Sequence, residues 1–71
     1  MSSSDEEMAR EIQAAFNEQG IRGIATRSQS GGIIIAVPKE GDLTPTQSAY
    51  IRQVVGHQQR SGREVDFRRF D

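Results

Sequence analysis

Gly31-Gly32-Ile33-Ile34-Ile35-Ala36-Val37-Pro38 is the most apolar segment of the chain, and it sets the arrangement of the strands. Paired glycines tolerate the positive φ that a tight turn needs. Five apolar residues follow, and a proline ends the strand. Strand alternation sends Ile33, Ile35 and Val37 to one face and Ile34 with Ala36 to the other. The first set is larger and more branched, so it is assigned to the core. A run that is apolar on both faces reads as a strand buried on both sides. In a three-stranded sheet with helices on one face only, Ile34 and Ala36 are left uncovered.

On its N-terminal side, Ile21 to Ser28 is a β-branched stretch that pairs with Ile33 to Pro38 as a hairpin. Ser28-Gln29-Ser30 lengthens its loop beyond a bare two-residue turn. Upstream lies a helix predicted over about residues 5–18. Ser4 is its N-cap, Glu7 completes a capping box, and Gly20 is the C′ glycine. Met8, Ile12, Ala15 and Phe16 form one stripe at helical period.

Downstream, Lys39-Glu40-Gly41-Asp42 is a polar turn. Thr44 then caps a second helix, with Pro45 at the first helical position and Gln47 closing a capping box. Tyr50, Ile51, Val54 and Val55 are its apolar stripe, Leu43 staples against it, and it stops before Gly62. Arg63 to Phe70 alternates. Val65 and Phe67 share one face, while Glu64, Asp66 and Arg68 share the other.

These elements predict a single α+β domain over residues 1–71, with residues 1–4 disordered. Its order is α-β-β-α-β, and both helices cover one face of the sheet. The β-α-β crossover is expected to be right-handed. A last strand beside the first gives sheet order 2-1-3, and beside the second gives 1-2-3. The reading adopted is 2-1-3, since a helix crosses one intervening strand comfortably.

Composition narrows the function. Nine Lys and Arg against ten Asp and Glu give a net charge of −1, which does not describe a chain that coats nucleic acid or membrane wholesale. Leu, Ile, Val and Phe make up 15 of the 71 residues. That is about 21%, just above the roughly 20% line below which disorder is the better reading. A domain of this size buries only about 60% of its unfolded surface, so its stability is expected to be marginal without a partner. There is no Cys, hence no disulfide and no thiolate nucleophile. No apolar run reaches the roughly 18 residues of a membrane span, and the polar, acidic start is unlike a secretory signal. A cytoplasmic protein is the expectation.

Chemistry is sparse. His57, the single histidine, reads as a polar residue at a helix end, favourable near the negative end of the dipole. Asp5, Glu6, Glu7 and Glu11 read as dipole compensation rather than a metal site. Gly20-Ile21-Arg22-Gly23 has the GxxG spacing of some RNA-binding loops, but it lies between a helix and a strand, where a cap glycine and a strand glycine explain it. Ser30-Gly31-Gly32 lacks the Lys-Ser/Thr of a phosphate loop and reads as a turn. No catalytic residue, metal ligand or cofactor is assigned.

Charge is unevenly placed. Residues 1–20 carry five acids and one base, net −4, and residues 21–71 carry eight bases and five acids, net +3. The expected function is therefore a small non-catalytic protein-binding module: an adaptor, inhibitor or regulator. Ile34, Ala36 and Phe70 contact another protein or a second copy of the chain through the open sheet face. The alternative is nucleic-acid binding through a basic sheet face of Arg22, Arg27, Lys39, Arg63, Arg68 and Arg69.

Overall fold

The computed structural model describes residues 4–70. Helix α1 spans Asp5–Glu18, strands β1 and β2 span Ile24–Arg27 and Ile33–Pro38, helix α2 spans Pro45–Arg60 and strand β3 spans Val65–Phe70. A single 3-10 turn, Glu40–Asp42, leads into α2. The predicted α+β architecture and element order are present. Residues 1–3 of the segment expected to be disordered lie outside the described residues; Ser4 is the N-cap of α1.

Both helix starts follow from their caps. The Ser4 hydroxyl accepts a hydrogen bond from the Glu7 N–H at 3.2 Å. At α2 the capping box is complete: the Gln47 N–H donates to Thr44 Oγ1 at 3.1 Å, and the Thr44 N–H donates to Gln47 Oε1 at 3.0 Å. Glu40 fastens the approach to α2, accepting from Ser48 Oγ at 2.8 Å and from Arg52 at 3.1 Å. The Ser48 hydrogen bond, helped by the Arg52 charge, holds the Glu40 carboxyl below its usual range.

The sheet order is β1-β2-β3, which corrects the 2-1-3 expectation. β1 runs antiparallel to β2, and β3 runs parallel to it on the other side. Two physical reasons favour this order. The most apolar strand takes the central position, where both flanks are covered. The outer edge of β1 is also partly occupied. Gln13 of α1 accepts from the Ala25 N–H at 2.9 Å and donates to the Gly23 carbonyl at 2.8 Å. Its side-chain amide stands where a third strand would have to pair.

The core lies between the helices and one face of the sheet. Ile33, Ile35 and Val37 are buried there with Ala25, with Ala9, Ile12 and Phe16 of α1, and with Ile51 of α2. Phe16 meets Tyr50 edge to face, with ring centroids 6.5 Å apart. The predicted register of β2 is therefore correct. Gly23 has a packing role, because a Cβ there would come within 2.7 Å of the Phe16 ring.

Candidate docking face

Strand register assembles the face opposite the helices. Directly paired residues share a face. Across the sheet the uncovered rows read Thr26, Ile34, Asp66 and then Ile24, Ala36, Arg68, with Pro38 beside Phe70. Ile34 and Ala36 lie where the alternation put them. They are half-buried rather than fully uncovered, because the central position of β2 gives each a neighbour on both sides. Phe70 is 39% exposed and Ile24 is 55% exposed. Ile24, Ile34, Ala36 and Phe70 thus form an apolar strip across a sheet face that no helix covers.

Ile24 was not among the expected contacts, although it is the most exposed large apolar side chain among those described. Its signal was present in the sequence. Ile21, Gly23 and Ala25 are in phase and point inward, so Ile24 between them must point out. The small size of Ala25 conceals that phase.

The strip has a polar margin. Arg68 donates to Asp66 Oδ2 from two nitrogens, at 3.1 and 2.7 Å. That hydrogen bond holds the Asp66 carboxyl below its usual range and keeps Arg68 firmly charged. At the other end, Arg22, Leu43, Gln47, Pro38 and Phe70 line a shallow pocket.

The six basic residues proposed for nucleic acid do not share one surface. Arg68 lies on the open face, and Arg22 lines the pocket beside Leu43 and Phe70. Arg27 lines a groove beside α1 with Glu6 and Gln13, and Lys39 is exposed just beyond β2. Arg69 is on the helix side. Its guanidinium sits 5.3 Å from the Phe67 ring centroid and donates to the Pro38 carbonyl at 3.0 Å. Arg63 is only 15% exposed and is ion-paired with Asp5, and its Nε donates to Gln58 Oε1 at 3.2 Å. Asp5 also accepts from the Gly32 N–H at 2.9 Å. One carboxylate of the acidic cluster therefore ties the start of α1 to the hairpin turn and to the entry into β3.

His57 is exposed on a groove between the helices that it lines with Met8, Glu11 and Tyr50. Among the described residues, no three His, Cys, Asp or Glu side chains converge as a metal site would require, and no helix is long and apolar enough to cross a membrane. Comparison with known proteins finds no family model, curated protein or solved structure that matches the chain.

Proposed function

We propose that the chain is a small non-catalytic protein-binding module, an adaptor, inhibitor or regulator, that docks through its open sheet face. The observation that carries this reading is the uncovered apolar strip of Ile24, Ile34, Ala36 and Phe70. Removing apolar surface from water favours association by roughly 25 cal/mol per Å². A contiguous strip with a charged margin has the layout of an interface core and rim. A domain with so small a core also gains stability when a partner binds only its folded form.

The nucleic-acid reading has less support. Phosphate contacts require cations on a common surface. Here the six do not share one surface, and Arg63, Arg68 and Arg69 engage groups of their own chain.

Affinity capture from native lysate, with and without nuclease and across a salt series, separates the two. A protein that stays bound after nuclease treatment, with weak salt dependence, is the expected result. Loss of all bound material on nuclease treatment, or a steep fall with salt, would transfer the function to the basic residues.

A further inference from the structure

The two edges of the sheet are not alike. Gln13 bonds to the Gly23 carbonyl and the Ala25 N–H on the outer side of β1. β3 has no such cover: among the described residues, no side chain or backbone group bonds to the outer edge of Val65–Phe70. Which groups face outward follows from the pairing. The Ile33 N–H donates to the Glu64 carbonyl at 2.9 Å, and Ile33 lies opposite Val65 in a parallel ladder. Alternation then turns the N–H and C=O of Glu64, Asp66, Arg68 and Phe70 toward β2 and those of Val65, Phe67 and Arg69 outward.

An exposed edge of this kind is a template for another strand. We propose that β3 pairs antiparallel with β3 of a second copy of the chain. The two-fold axis passes at Phe67 and joins two three-stranded sheets into one of six strands. This inference concerns the strand edge and does not rest on the reading of the open face.

Register selects the second copy as the occupant. Only the odd-numbered residues present outward groups, so odd residues must oppose odd residues across the seam. Centring on Phe67 makes Phe67 a hydrogen-bonded pair with its own copy and sets Val65 against Arg69. It also places Asp66 directly opposite Arg68 of the second copy, twice over, at non-hydrogen-bonded positions where side chains approach most closely. Neighbouring registers lose this match. Centring on Asp66 or Arg68 opposes like charges to themselves, and centring on Val65 sets Asp66 against Glu64. The strand sequence Asp66-Phe67-Arg68 is thus self-complementary in charge about its aromatic centre. Phe67 is 38% exposed at this edge, so its ring is accessible to its copy.

Such an interface is isologous and closes at two copies. Like faces stay together, so the two open apolar strips become parts of one continuous surface.

Sedimentation equilibrium on the full chain tests this, with circular dichroism as the check on folding. The wild type is expected to dimerise in a concentration-dependent way. Asp66→Arg and Arg68→Asp should each weaken the dimer about tenfold or more, because each turns two attractive cross-strand pairs repulsive. The double variant D66R/R68D restores opposite charges across the seam and within each chain, and should recover dimerisation. A wild type that stays monomeric at millimolar concentration would overturn the proposal. So would a double variant that dimerises no better than the single ones.

Discussion

Ile34 and Ile35 are neighbours in the chain and lie on opposite faces of the sheet. Ile35 is fully buried among the helix side chains, and Ile34 is half-buried on the open face. A carboxylate in place of Ile35 would be buried without a partner. That costs several kcal/mol, comparable with the roughly 5–15 kcal/mol that holds a domain folded. Ile35→Asp should therefore show no cooperative thermal transition by circular dichroism. Ile34→Asp can hydrate its carboxylate and should still melt cooperatively. The reverse outcome would exchange the core and open faces. Alternation made this pair legible in the sequence. Gln13 was not legible: it lies on the flank of an amphipathic stripe, and nothing in its spacing announces that its amide bonds to a strand edge. In the sequence Asp5 is no more than a first-turn carboxylate, because its contacts with Gly32 and Arg63 span 27 and 58 residues.

At the scale of elements, the helices were the most readable because their signals are local. Thr44 shows this best, since the cap, the proline and the reciprocal glutamine all fall within four residues. Thr44→Ala should lower stability by about 0.5–2 kcal/mol in chemical denaturation, since the Gln47 N–H loses its acceptor. No change would mean that the cap does not stabilise the start of α2. The strands themselves were also legible, though β1 is shorter than Ile21–Ser28 suggested. Sheet order was not, because it depends on which edges remain open, and a side chain from α1 closes one of them. The apolar character of β2 on both faces already favoured a central strand.

At the scale of the molecule, the fold divides its residues between two tasks. The odd positions of β2, with both helices, build the core. The even positions, with Ile24 and Phe70, make the surface on which the functional reading stands. The net −4 of residues 1–20 lies largely on α1, on the side of the sheet away from that surface. Ile24 gives the most direct test, because it is the most exposed member of the strip and least involved in the core. Capture yield from native lysate should be compared for the wild type and Ile24→Asp at matched amounts, with thermal melts confirming that both are folded. If the strip is the docking surface, the nuclease-resistant partner recovered by the wild type should fall about tenfold or more with Ile24→Asp, while the melts nearly coincide. Equal recovery by two folded proteins would contradict docking through the open face.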